Sequence, residues 1–168
     1  MEMKSHPFPR KPGSYLLMLA LPSNQQIQVG RLGCIGFESG WYAYAGSAFG
    51  PGGLAARLSR HFGPVQKRHW HIDYLRAEAV AREAWFFIGP PSREHDWSLV
   101  LAKGAGAGRW VRGFGCSDCR CPSHLIYFGR RPAPDLIRKK LGPCVEWLQL
   151  TTRPAGNLRL NHRQTGRT

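Results

Sequence analysis

Acid is what this chain has least of: 10 Asp and Glu stand against 24 Lys and Arg in 168 residues, a formal charge of +14. The ends hold +6 of that excess, from Lys4, Arg10 and Lys11 against Glu2 and from Arg153, Arg159, Arg163 and Arg167. Residues 13–150 keep the other +8, so the body is basic in its own right, as a polyanion binder should be. A solubilising surface charge is the competing explanation. No run of eighteen apolar residues occurs, which excludes a membrane-spanning helix. The N-terminal MEMKSHPFPRKP lacks the apolar stretch of a signal peptide, so a cytoplasmic location is expected. Five cysteines are an odd number, and three of them fall within six residues. That clustering argues against a disulfide framework and for reduced thiols or metal binding. No internal repeat is visible, and the length suits one domain.

What is present is enough for a core: 42% hydrophobic and 11% aromatic residues. Residues 1–12, Pro-rich and basic, read as a flexible arm, and residues 151–168, poor in apolar side chains, as a flexible basic tail. Between them, 13–150 should form the domain. Ser14–Leu21 is apolar on both faces after Ser14 and bounded by Gly and Pro, which favours a buried strand. Short strands are expected at Gln26–Val29 and Trp41–Ala45. After the loop GSAFGPGG (46–53), Leu54, Leu58 and Phe62 fall at i, i+4 and i+8, a helical stripe with Arg57 and His61 along its edge. A short helix is expected over His69–Arg76, a strand over Val80–Ile88, and a helix from an N-cap at Ser92 to Lys103. A strand near Leu125–Phe128 and a last helix over Asp135–Gln149, interruptible at Gly142-Pro143, complete the list. The order predicts an α+β fold, a small, mostly antiparallel sheet flanked by helices.

Several stretches carry a family resemblance. Gly13-Ser14-Tyr15 opens the first strand, and Tyr42-Ala43-Tyr44-Ala45-Gly46-Ser47-Ala48 closes a later one. Arg57-Leu58-Ser59-Arg60-His61 lies on the next helix. Arg68-His69-Trp70-His71-Ile72-Asp73-Tyr74-Leu75 and GFGCSDCRCPSHL (113–125) follow. In this order they resemble the GIY-YIG nuclease superfamily, and most closely its uncharacterised branch, domain of unknown function 123, sometimes fused to endonuclease III-type glycosylases. The resemblance covers roughly residues 13–128. It implies hydrolysis of phosphodiesters with one Mg²⁺ or Mn²⁺ ion. Tyr15 and Tyr44 match the two motif tyrosines, one of which helps to activate water. Arg57 matches the arginine that holds the scissile phosphate, and His61 an auxiliary residue one turn on. The metal glutamate should come from the helix after the third main strand, which points to Glu94. Ser14 and Ala45 stand where isoleucines are usual, and are read as packing positions. The GPGG insertion is longer than in the simplest members and bears on the shape of the substrate groove.

The chemistry agrees with these roles. A guanidinium fork suits the charge that gathers on phosphoryl oxygens. A hard divalent ion often takes only one or two carboxylates. A phenol of pKa near 10 needs a metal or Arg57 beside it to act as a base. Arg57 and His61, one turn apart, can address one site. Each residue also has a plain structural explanation. Tyr15 and Tyr44 could be core aromatics, Arg57 a solvated cation, and Glu94 a partner of the helix dipole.

Cys116, Cys119, Cys121 and His124 form a second constellation, C-x₂-C-x-C-x₂-H, with Asp118 among them. Each of the four is a zinc ligand type. So compact a cage strains the backbone, so no tightly held zinc is expected, and the segment is read instead as a thiol loop or as part of the groove. Cys144 could add a distant ligand. His69 is placed near the phosphate, and Arg31, Arg60, Lys67 and Arg68 on a basic rim. Trp70, Trp85 and Trp97 are read as core first, base-stacking second. The expected function is a metal-dependent endonuclease acting on DNA, with a repair glycosylase as the partner such fusions imply. The alternatives are a binding module without catalysis and a zinc-stabilised accessory protein.

Overall fold

Nine strands and four helices follow from the pattern of apolar residues, and the computed structural model describes residues 7–151 and 159–161. Strand β1 (Gly13–Leu21) is buried along its length because both faces are apolar. It takes the centre of a seven-stranded sheet, between β4 (Gly40–Ala48) and β5 (Val80–Ile88). Outside β4 lie β7 (Leu125–Phe128) and β6 (Arg109–Trp110). Outside β5 lie β8 (Glu146–Thr151) and β9 (Arg159–Asn161). All neighbouring pairs are antiparallel. A separate hairpin joins β2 (Gln25–Gln28) to β3 (Cys34–Phe37).

Alternation along β1 divides the core in two. Tyr15, Leu17, Leu19 and Leu21 face one layer, where α1 (Gly53–Phe62) supplies Leu54 and Leu58 and α2 (His71–Arg76) supplies Ile72 and Leu75. Leu16 and Met18 face the other, against Trp97 and Leu101 of α3 (Glu94–Leu101) and Ile137 and Leu141 of α4 (Pro134–Leu141). Period-two burial with helices on both faces is the expected α+β architecture. No helix among the described residues is long and apolar enough to cross a membrane.

The structure differs from the sequence expectations in four places. Ordered chain begins before Gly13: Phe8 is buried and stacks on Phe62, and the carbonyls of Pro9 and Lys11 accept the N–H groups of Ala55 and Leu54. The arm thus caps the first turn of α1, whose own N-cap, Gly52, has no side chain to do so. A side chain at Gly53 would collide with the Lys11 carbonyl, which explains that glycine. The helix expected over Asp135–Gln149 splits: α4 ends at Leu141, Gly142 turns the chain at φ 97°, and β8 follows. The basic tail expected from 151 contributes Thr151 to β8 and Arg159–Asn161 as β9; the rest of that tail, and residues 1–6 of the arm, lie outside the described residues. Finally, Ser92 caps nothing, since α3 starts at Glu94 behind Arg93.

Candidate active site

Six separated segments meet at one end of the sheet. The cleft there, about 370 Å³, is lined by Tyr15, Tyr44, Arg57, His61 and Glu94. His69, Trp70, His71, Asp118 and His124 complete much of its wall. Tyr15 and Arg57 share the α1 side of the sheet. Glu94 reaches the cleft although α3 packs on the other layer, because it is the first residue of that helix.

Ser14 explains how. Its buried hydroxyl accepts the Arg93 N–H at 2.8 Å, tying β1 to the residue before Glu94. The sequence reading as a packing position missed this polar tie. Gly46, facing Tyr15 in the β1–β4 register, has a steric reason: any Cβ would run into the Tyr15 phenol.

The hydroxyl of Tyr15 lies 2.7 Å from His61 Nε2, both groups buried. Burial, and then the cations Arg76, Arg57 and Arg60, lower the His61 pKa to about 3, so this imidazole is neutral at physiological pH. Its Nδ1 is buried without a partner. Burial also holds the Tyr15 phenol well above its ordinary pKa of 10. The pair is therefore a neutral hydrogen bond that fixes the phenol. Tyr44 is likewise raised, by burial and next by Glu94, while Arg57 pulls it down. Glu94 raises the Tyr15 phenol as well, behind burial and Tyr44.

The guanidinium carbons of Arg57 and Arg60 each lie 4.1 Å from the centre of the Trp70 ring. Arg60 is committed, bonding the Asp73 carboxylate at 2.7 Å. Arg57 makes no ion pair with any described residue and points its charge at the cleft. The same Asp73 oxygen accepts the backbone N–H groups of His69 and Trp70, both at 2.9 Å, and so fixes the turn that brings His69, Trp70 and His71 to the wall. Burial alone would raise the Asp73 pKa; those N–H groups and Arg60 outweigh it and hold the carboxyl below its usual value. Trp70 is 36% exposed, whereas Trp85 and Trp97 are core.

The basic rim is only partly realised. His69 lines the cleft. Arg60 and Lys67 border a neighbouring hollow, Arg68 lies over Tyr74, and Arg31 sits in the 3-10 turn Gly30–Leu32. A hollow beside the cleft shares Arg57 and Trp70 with it and is lined by Gly50, Pro51 and Gly53 of the GPGG segment and by Arg60.

The thiol loop is arranged differently from its sequence spacing. Cys119, Cys121 and His124 come together with His95 of α3, not with Cys116, and their ligand atoms all lie within 4.8 Å of one another. Cys116 instead bonds the Phe114 carbonyl, burial raises its thiol to a pKa of about 12, and Cys144 takes no part. His95 had no motif to announce it. His71, whose Nδ1 accepts the Gly115 N–H at 3.0 Å, lines the cleft and was likewise left unassigned by the sequence.

Fold and cleft together define a small α+β protein with one polar, cation-bearing site at the end of an antiparallel sheet. The profile of the family described as Domain of unknown function DUF123 matches residues 14–143. The chain belongs to that family. No curated protein and no solved structure matches it.

Proposed function

We propose that the protein is a metal-dependent endonuclease of GIY-YIG type that hydrolyses phosphodiester bonds in DNA. The observation that supports this most is the convergence of Tyr15, Tyr44, Arg57, His61 and Glu94 on one cleft from four separate elements, β1, β4, α1 and α3. A core tyrosine or a solvated arginine has no reason to share a cleft with a carboxylate from the opposite layer.

The donor set fits one hard divalent ion. Glu94 has a side chain only 19% exposed, turned into the cleft, whose nearest ionic partner is His95 at 3.7 Å. Around it the cleft offers further oxygens on Asp118, Ser47, Ser117 and Tyr44. Few carboxylates with room for water are what Mg²⁺ or Mn²⁺ prefers. When bound there, such an ion supplies Lewis acidity to the phosphate and lowers the pKa of water. Glu94 would hold it, with Asp118 in reach of the same cleft. Arg57, without a carboxylate partner among the described residues and braced by Trp70, forks onto non-bridging phosphate oxygens and gains most as charge builds in the transition state. Tyr44 lines the same cleft as Glu94; with its phenol drawn down to tyrosinate by the ion and Arg57, it would take the proton of the attacking water. The water oxygen bonds to phosphorus as the bond to the leaving oxygen breaks, and solvent in the open cleft supplies the proton that this oxygen takes up. His61 holds Tyr15 in place, and Trp70 braces the Arg57 guanidinium.

A panel of duplex, branched and single-stranded DNA and RNA, incubated with Mg²⁺ or Mn²⁺, tests the reading. Metal-dependent nicking by the wild type that Glu94→Gln abolishes is expected. Binding without cleavage under every condition would identify a nucleic-acid-binding module instead.

A further inference from the structure

We infer that His95, Cys119, Cys121 and His124 form a tetrahedral Cys₂His₂ zinc site, and that this site aims Glu94 into the cleft. The zinc half rests on the cluster alone; the aiming half rests on the proposed role of Glu94.

The strain argument that disfavoured zinc assumed four ligands within nine residues. The structure removes it. Three ligands come from the loop, while the fourth, His95, arrives from α3, so the cage bridges two elements as structural zinc sites do. His95 Nδ1 lies 3.0 Å from Cys121 Sγ, and His124 Nε2 lies 3.4 Å from Cys119 Sγ. With Zn–S near ~2.3 Å and Zn–N near ~2.0 Å, a tetrahedral cage has edges of roughly 3.3–3.8 Å. The four atoms all lie within 4.8 Å of one another, so the widest pairs need to close by about an ångström and the 3.0 Å pair to open by a few tenths. Two soft thiolates and two imidazoles in that arrangement select zinc over Mg²⁺ or Ca²⁺.

The backbone holds the loop ready. His124 N–H bonds the Phe114 carbonyl at 2.8 Å, its carbonyl accepts Ala45 N–H at 2.9 Å, and Gly113 N–H bonds the Pro122 carbonyl at 2.8 Å. The two ends of the loop are thus pinned to each other and to β4. A ligand through His95 Nδ1 leaves Nε2 carrying its proton, and Nε2 is the atom 3.7 Å from Glu94 Oε1. A metal-bound histidine commonly donates its outer N–H to a carboxylate, and closing that 3.7 Å gap slightly would let a zinc-held His95 fix the Glu94 side chain by this relay. The zinc would then sit between α3 and the loop as a clamp on the wall that carries Glu94 and His124.

Metal analysis of full-length protein purified without chelator should find one zinc per chain. Co²⁺ exchanged into the site should give the visible absorption of tetrahedral thiolate–imidazole coordination. Cys119→Ser and His95→Ala should each lose both signals, while Cys116→Ser and Glu94→Gln keep them. Zinc-free protein from zinc-supplemented growth with no tetrahedral Co²⁺ spectrum, or His95→Ala with the wild-type spectrum, would overturn the site. His95→Cys tests the relay, since a thiolate keeps zinc but has no second nitrogen. It should retain one zinc and weaken Mn²⁺ binding at the cleft several-fold, read by electron paramagnetic resonance; unchanged Mn²⁺ affinity would overturn the relay. A zinc-bound protein that cuts nothing would count against the endonuclease and leave the zinc site standing.

Discussion

The two walls of the cleft are built by different means. One wall, carrying Tyr15, Arg57 and His61, stands on β1 and α1, with buried Leu17, Leu54 and Leu58 packed behind it. The other carries Glu94, Asp118 and His124, and consists of one helix start and a loop. The first wall is positioned by apolar burial, which is dense and redundant. The second is positioned by single polar ties: Ser14 to Arg93, His124 to Phe114 and Ala45, and the His/Cys cluster. Damage to the first should cost stability, and damage to the second should cost geometry.

The largest expected effects separate binding from chemistry across the two walls. Glu94→Gln keeps the side chain's size but loses the charge that would hold the ion. Cleavage should fall by roughly two or more orders of magnitude, the scale of losing a major electrostatic stabiliser, with DNA affinity equal or slightly higher. Arg57→Ala should slow cleavage by about 10²-fold and also weaken binding, because a guanidinium touches phosphate before and during reaction. Filter binding and single-turnover cleavage on the same substrate tell them apart. Equal losses of affinity in both variants would dissolve the division of labour.

Next in size is Asp73→Ala. It leaves the Arg60 guanidinium and the N–H groups of His69 and Trp70 without their common acceptor. Stability should drop by roughly 3 kcal/mol in urea unfolding, the usual cost of orphaning a partly buried ion pair. If the drop stays under ~0.5 kcal/mol, the turn holding Trp70 is fixed by something other than Asp73.

Acid should probe the same wall. His61 takes up a proton near pH 6.5 when unfolded but only near about 3 when folded. Between those values the unfolded chain binds the proton and the folded chain does not. Stability is therefore intact above pH 6.5 and falls as pH drops towards 3. His71, also lowered by burial, adds to the same slope. The lowered Asp73 adds a further loss below about its ordinary 3.8. His61→Gln should flatten much of the decline in melting temperature between pH 6.5 and 4. An unchanged profile would mean that protonated His61 is accommodated.

The same division explains what could be read from the sequence. The first wall was legible because apolar runs and the Leu54, Leu58, Phe62 stripe report regular elements directly. Gly46 and Arg57 then fell into a recognisable order. The second wall was legible at Glu94 and, less sharply, at Asp118 and His124 of the thiol loop; loop geometry leaves no period, and His95 stands in no motif. The misread helix at Asp135–Gln149 has a similar cause. Ile137, Leu141, Val145 and Leu148 keep helical spacing, yet Leu148 packs on one face of the sheet while Trp147 stacks on Trp85 on the other. That alternation belongs to a strand, and Gly142 supplies the turn into it.

The smallest expected effect belongs to Ser14, and it tests whether the second wall hangs from the first. Ser14→Ala deletes the only side-chain acceptor seen for the Arg93 N–H among the described residues, at a fully buried position on β1. The lost bond should cost about 1 kcal/mol, a shift of a few degrees in melting temperature for a chain of this size. Ser14→Thr keeps the hydroxyl and should recover part of that loss, offset by crowding from its added methyl. Cleavage should suffer more than stability does, because Glu94 follows Arg93 directly and a loosened helix start moves its carboxylate. A several-fold fall in cleavage rate, with Arg57-dependent DNA binding unchanged, is the expected pattern for Ser14→Ala. If stability falls by that amount and cleavage does not, then Arg93, whose guanidinium lies 3.7 Å from the Phe87 ring centre, anchors α3 without help from β1.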